Sequence, residues 1–381
     1  MNKKKIKLLY VTDGIFPGVV GGLQKVSFNH IKMLQDKVNL SVVYSGSEDI
    51  TRFENVQYFY FPWPDKKDFW RINNYVNQLK LFSQHVVNIL SMISPDVIYT
   101  DGPLLNEVFK QYKQKNIRRL PVIYHPHGLG PYQDNRTLVS KIKSSTLRPI
   151  IRKHCLSSDI VISQGGKLSN ILSKRIGVQK KSIHNLSNFV ETGSVAINDA
   201  TYDEKNIKVY DFIFVGRNDK CKGLDFLFTT LKLVKKRCRI LIVGAEKDAA
   251  FVTKCHEITW HKEEKSKEKL AELYHSAKFL ILPSFVEGMP TVVLEAMSLG
   301  VPALCSDVGA VSEIVQDSEN GFIFKAGDEN ALIKKIGNVI SLNDTEYAAM
   351  CLAAGKTIRQ KFTSEIVEQQ LLNLIESSIV A

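Results

Sequence analysis

Arg217 and Lys222 stand five positions apart, just beyond the apolar run Tyr210–Val215. Arg supplies a planar fork and Lys a compact point charge, a pairing suited to clamping a diphosphate. Glu287 and Glu295 stand eight apart, around Gly288, Met289, Pro290, Thr291 and Val292. Pro290 suits a first helical turn, and the N–H groups after it would point at an anion. The spacing puts Glu287 at the mouth of a cleft and Glu295 about two turns along a helix. Carboxylates so placed suit hydroxyls, as on a sugar and a ribose. Paired carboxylates for hydrolysis are the alternative reading, but Glu295 would lie too far along the helix to flank one bond.

Two further motifs lie in the first half. Gly21-Gly22, after the run Ile6–Thr12, lets a backbone approach a ligand closely at a helix start. Its pattern is neither a nicotinamide fingerprint nor a Walker A loop. His125-Pro126-His127-Gly128 follows another apolar run. His127 at the carboxyl end of a strand can hydrogen-bond a substrate hydroxyl or stabilise developing charge. A metal pair of histidines is disfavoured, because the sequence offers no third ligand nearby. No D-x-D occurs in the chain, so Arg217, Lys222 and helix N–H groups are expected to supply the charge a metal would.

Two sets of strands must position these residues. Ile6–Thr12, Asn39–Tyr44, Val97–Thr100, Pro121–Tyr124, Asp159–Ser163 and Ser182–Leu186 form the first. Tyr210–Val215, Arg239–Val243, Cys255–Thr259, Lys278–Leu282, Val301–Cys305 and Gly321–Phe324 form the second. Helical stretches between most of them give the βαβ pattern of covered parallel sheets. The expected division is residues 1–192, a small polar linker at 193–206, a second domain at 207–362, and a C-terminal helix at 363–381 packing back toward the first domain.

At these residues the chain resembles the retaining glycosyltransferases of group one, family four. V-G-R at 215–217, Lys222-Gly223, Glu287 with Glu295, and Ala296 to Pro302 carry the likeness. Asp307 to Ala310, Glu313 to Val315, Asn320-Gly321-Phe322, the Gly-Gly loop, His127-Gly128 and Asn188 to Glu191 extend it over nearly the whole chain. Ala310 stands where a second glycine is common, and Cys221 precedes Lys222. The resemblance implies a GT-B fold: α/β, two Rossmann-like doubly wound domains facing across a cleft. Arg217 and Lys222 would neutralise the diphosphate of a nucleotide-sugar, a UDP-sugar foremost. Glu295 would bind the ribose and Glu287 the donor sugar, while Gly288 to Val292 line the pocket. His127, Gly21 and Gly22 would reach across. It implies retention at the anomeric carbon; no cofactor is expected, and the missing D-x-D together with Arg217 and Lys222 points to transfer without a metal.

The 381 residues are 44% hydrophobic and 24% charged, as in an ordinary globular protein. No apolar run approaches a bilayer-spanning length. Met-Asn-Lys-Lys-Lys begins like a signal peptide, but the apolar stretch behind it is short and interrupted by Lys7. It reads as a charged lead into a first strand of a protein that stays in the cytoplasm. Six scattered cysteines without a C-x-x-C pair argue against a disulfide framework or a zinc site.

The net charge of +12 is uneven. Residues 1–190 carry 28 basic and 12 acidic side chains, a net +16, against 23 and 27 in residues 191–381, a net −4. Such asymmetry points to an anionic partner of the first half. Arg136 to His154 sets Lys141, Lys143, Arg148, Arg152 and Lys153 among apolar residues, as suits an anionic membrane surface. Pro149 would break or kink a single helix there. Lys110, Lys113, Lys115, Arg118 and Arg119 add a second basic segment. The expected activity is sugar transfer to a lipid-linked or cell-surface glycan such as capsule or lipopolysaccharide, at the inner face of the cell membrane. A nucleotide-sugar epimerase of the same fold is the near alternative. A nucleic-acid-binding protein is the distant one, and no nucleic-acid module is present.

Overall fold

A computed structural model of the chain describes residues 5–19, 21–63, 72–133, 137–191, 208–247 and 256–380. The expected linker at 193–206 and Cys255 fall outside them. The first half builds β1 (Lys7–Val11), α1 (Gly22–Leu34), β2 (Asn39–Ser45), β3 (Val56–Phe61), α2 (Ile72–Ile93), β4 (Val97–Asp101), α3 (Asn106–Gln114), β5 (Val122–His125), α4 (Leu138–Ser157), β6 (Ile160–Ser163), α5 (Gly166–Asn170) and β7 (Ile183–Asn185). The second builds β8 (Tyr210–Val215), α6 (Leu224–Leu231), β9 (Arg239–Val243), β10 (Glu257–His261), α7 (Lys267–His275), β11 (Ala277–Leu282), α8 (Thr291–Ser298), β12 (Ala303–Ser306), α9 (Val311–Ile314), β13 (Gly321–Phe324), α10 (Glu329–Ser341), α11 (Asp344–Lys361) and α12 (Ser364–Val380).

Both sheets are wholly parallel, ordered β3-β2-β1-β4-β5-β6-β7 and β10-β9-β8-β11-β12-β13. Helices cover both faces of such sheets, so their central strands are unbroken apolar runs. Leu8 to Val11 and Phe279 to Leu282 are fully buried in this way. The order reverses between β1 and β4 and again between β8 and β11. Strands diverge there, and a crevice opens beyond their carboxyl ends. This is the GT-B architecture, two Rossmann-like domains with helices at the C-terminus.

The last helix belongs to the first domain's core. Val367, Leu371 and Ile375 of α12 are fully buried in the cluster that holds Leu8, Tyr10 and Leu34. The chain thus crosses between domains a second time. Val190 N–H donates to Phe362 O at 3.0 Å, so the two crossings run side by side.

Three local features differ from the sequence reading. The edge strand β3 was not among the expected strands; only Val56 of its six residues is buried, so its apolar signal is weak. The strand expected at Cys255–Thr259 is β10, two residues further on. The helix α4 runs unbroken through Pro149. Burial of Ile151, His154 and Cys155 holds its inner face, while Pro149 lies on the exposed side, where a lost backbone bond can be met by water.

Candidate active site

Every singled-out motif sits past a strand's carboxyl end. Gly21 caps α1 in extended backbone beyond β1, and Gly22 opens the helix. His127 and Gly128 follow β5, Arg217 follows β8, and Glu287 to Pro290 lie between β11 and α8. Pro290 is the N-cap of α8, so the first-turn N–H groups of Thr291 and Val292 face the crevice end of the helix.

The domains touch at this level. A Cβ on Gly128 would lie 3.1 Å from Gly288 N, so two backbones approach closely and a side chain there would crowd them. Gln133 Nε2 donates to Glu287 O at 2.5 Å. Asn188 Nδ2 donates to Met289 O at 2.7 Å and its backbone N–H to Met289 Sδ at 3.2 Å. Gln164 Nε2 in turn donates to Asn188 Oδ1 at 2.9 Å. On the second domain's side, Gly309 packs under the same loop: its φ is +56°, and a Cβ there would stand 2.3 Å from Glu287 O. Ala310, where a second glycine is common, has φ −108° and needs no glycine.

Lys222 Nζ meets Glu287 Oε1 at 2.7 Å. Lys222 ends a short 3₁₀ turn before α6 rather than lying inside the helix. Glu287 is only 8% exposed, so it lies within the cleft wall and not at its mouth. Arg217 is exposed, two residues past the carboxyl end of β8. Glu295 bridges the domains: Lys25 Nζ lies 2.6 Å from Oε1, and the Tyr274 hydroxyl donates to Oε2 at 3.4 Å. Lys25 is a site neighbour that the sequence reading missed; its place one turn past Gly21-Gly22 was the available signal. A cavity of about 280 Å³ opens beside this pair, between Lys25, Phe28, Phe189, Lys267, Tyr274 and Glu295. Nearby, Glu191 takes Lys32 at 2.7 Å and Lys267 at 2.6 Å. Hydrogen bonds from Lys267 and then Lys32 hold its pKa down at about 2.

His127 Nε2 lies 2.7 Å from Asp101 Oδ1. Asp101, His125 and His127 together offer three potential ligand atoms within 4.8 Å of one another. The fold therefore supplies the third group that the sequence did not reveal beside the histidine pair. Asp101 ends β4 and is paired in register with His125 of β5. Its oxygens already accept from Ser27 Oγ at 2.7 Å, from His127 and, in a short bond, from the Tyr10 hydroxyl.

Chemically, the cleft offers a lysine–carboxylate pair, an exposed arginine and a helix start from one domain. The other domain contributes a histidine and a close backbone approach. That set can hold an anion between hydroxyl-bearing groups.

Residues 210–341 match the family described as "Glycosyl transferases group 1". The chain is 26% identical over 365 residues to an uncharacterized glycosyltransferase of Methanocaldococcus jannaschii, covering 92% of this chain and 93% of that one. It is 26% identical over 239 residues to the capsular polysaccharide biosynthesis glycosyltransferase CapM of Staphylococcus aureus, spanning 58% of this chain and 62% of that relative. Among solved structures, Anabaena Alr3699/HepE in complex with UDP superimposes with a TM-score of 0.68 at 16% identity, covering 98% of this chain and 100% of that one.

Proposed function

We propose, from the premise that this chain is a group 1 glycosyltransferase, that it moves a sugar from a nucleoside-diphosphate donor, a UDP-sugar foremost, to a cell-surface or lipid-linked glycan. The observation that carries this reading is the Lys222–Glu287 pair at 2.7 Å, set beside the start of α8 and against Gly128 of the other domain. Breaking a sugar–diphosphate bond leaves negative charge on the departing oxygens. Preorganised cations and helix N–H groups stabilise it most where water is excluded. Lys222, Arg217 and the first turn of α8 are the groups for that charge. Glu287 would hold hydroxyls of the donor sugar and Glu295 those of the ribose. His127 would meet the sugar from the far wall, with Gly21 and Gly22 closing over the phosphates.

The UDP of the Anabaena structure supports the donor class, and CapM's role in capsule synthesis supports the acceptor class. Retention and independence from metal ions are the parts of the reading that rest on the family resemblance and on Arg217 and Lys222 as fixed cations.

A membrane-facing orientation belongs to the same proposal. Among the described residues no helix is long and apolar enough to cross a membrane. On α4, Val139 is 63% exposed, Ile142 54% and Leu156 46%, and Pro149 lies on the same face. Lys141 and Arg152 border that stripe and Lys153 stands within it, and all three are exposed. An apolar stripe between cations suits the interface of an anionic bilayer.

The test is incubation of the full chain with UDP-, GDP- and ADP-sugars, reading the rise in melting temperature, followed by product analysis with a glycan-lipid acceptor in EDTA. One donor should stabilise the protein, and the new linkage should keep the donor's anomeric configuration. A chain that changes the donor sugar without transferring it is an epimerase, and one that responds to no donor refutes the reading.

A further inference from the structure

Behind His127 lies a buried polar cluster drawn from β1, α1, β4 and β5. Asp101 is fully buried. It accepts from His127 Nε2 through Oδ1, and from Ser27 and Tyr10 through Oδ2. His125 stacks on His127 with ring centroids 3.7 Å apart, and its Nδ1 meets the Tyr99 hydroxyl at 2.8 Å. His30 of α1 lies 6.1 Å beyond His125. Across the cleft, Gly128 abuts the loop of Glu287, whose carboxylate is held by Lys222.

The protonation of this cluster follows from its surroundings. Burial lowers the pKa of His30 to about 4 and that of His125 well below the usual imidazole value, so both are neutral. Burial works against the charge of Asp101, but His127 foremost, with the hydrogen bond from the Tyr10 hydroxyl, holds its pKa below the ordinary value. An ionised carboxylate has no proton to give, so in the Asp101–His127 bond it is Nε2 that carries the hydrogen. With three donors on its two oxygens, Asp101 is satisfied without a bound cation.

We propose that Asp101 is the positioning residue for His127: it fixes the ring with Nε2–H turned inward and leaves Nδ1 as the acceptor for a hydroxyl of the bound substrate. A loop histidine would otherwise sample both tautomers, and the Nδ1–H form would present a donor where an acceptor is needed. His125 and His30 face the Tyr99 and Tyr10 hydroxyls, and His127 at 2.7 Å is the imidazole of the three within hydrogen-bond distance of the carboxylate, His125 Nδ1 standing 3.8 Å from it. This inference rests on the reading of His127 as a substrate-facing residue.

The experiment compares the full-length protein with Asp101→Asn, His127→Gln and the double variant. Nitrogen-15 NMR of the imidazoles in the donor-free protein should show His127 as the Nε2–H tautomer, and Asp101→Asn should bring up the Nδ1–H form. With donor and acceptor, Asp101→Asn should lower kcat by ~10²-fold or more, the scale of a misplaced acid–base group. Donor KM should stay within about threefold, since ground-state contacts are kept. In the His127→Gln background the same substitution should change kcat less than about threefold. Losses that multiply in the double variant, or an Nε2–H tautomer that persists in Asp101→Asn, overturn the proposal. Should Asp101→Asn be too unstable to assay, an Nδ1–H His127 in the parent spectrum overturns it alone. If the parent turns over no donor, the transferase reading fails, while the spectra still decide the tautomer.

Discussion

Lys25 Nζ and Glu295 Oε1 lie 2.6 Å apart, one on α1 of the first domain and the other on α8 of the second. The carboxylate assigned to the ribose is thus already held by an ammonium from the opposite wall. Both side chains are partly exposed, 40% and 22%, so the pair is worth about 1 kcal/mol at most.

On that assignment, donor binding exchanges the lysine for two hydroxyls. Lys25→Met should therefore tighten donor binding by up to about fivefold, the equivalent of 1 kcal/mol. Isothermal titration with the best donor measures it. A tenfold loss would instead make Lys25 a donor contact.

Lys222→Ala and Glu295→Ala should separate by kinetic signature. Removing one preorganised charge near the leaving oxygens is expected to cost kcat ~10²-fold or more. A ribose contact is equal in ground and transition states, so Glu295→Ala should raise donor KM with kcat nearly intact. Steady-state rates at saturating acceptor check both. Near-normal kcat in a folded Lys222→Ala would remove the diphosphate assignment.

Docking to membranes should depend on lipid charge and salt. Each basic residue near an anionic surface contributes about 1 kcal/mol, and the Debye length falls from about 10 Å at 0.1 M to about 3 Å at 1 M. The protein should sediment with anionic liposomes at low salt, less at high salt, and little with neutral ones. Val139→Glu together with Ile142→Glu should abolish sedimentation. Equal, negligible binding to both lipids at low salt would leave the basic excess to a soluble anionic acceptor.

Acid should weaken the fold in two steps. His30 and His154 are fully buried, and burial lowers each to about 4 from the ordinary imidazole value of 6.5. Their folded pKa values are depressed, so the unfolded chain binds more protons between pH 6.5 and 4. Stability present above 6.5 is then lost as pH falls through 4, by up to about 1.4 kcal/mol per pH unit for each group. Glu191 follows between 4.5 and about 2, as its Lys267 and Lys32 bonds are protonated away. Melting temperature against pH should fall steeply below 6.5, and less steeply in His30→Gln. An unchanged slope would mean that His30 titrates normally.

The sheets and the second domain's motifs were legible because parallel strands are long apolar runs, and glycine or proline marks the turns at their ends. Glu287 to Pro290 fall where a strand must turn into a helix. Asp101 was not legible. VIYTD reads as the end of a strand, and nothing in the 26-residue interval to His127 says that they meet. Their contact follows from strand order alone, with β4 beside β5 and Asp101 opposite His125. Lys25 was likewise hidden, since its partner lies 270 residues away in the other domain. Pro149 misled because the rule against proline in helices weighs local backbone bonds, whereas α4 is held by its buried face.

The side-by-side crossings at Val190 and Phe362 make the two halves of this protein the arms of a lever with one fulcrum. Displacement under rotation grows with distance from the axis. Glu191, one residue from the fulcrum, can keep its grip on Lys32 and Lys267 through small swings. Gly128 and Gly288 meet across the cleft beside the Asn188–Met289 bonds, with no side chain between the two backbones. A bulky residue at either position would act as a stop that leaves the fulcrum intact and the far end ajar.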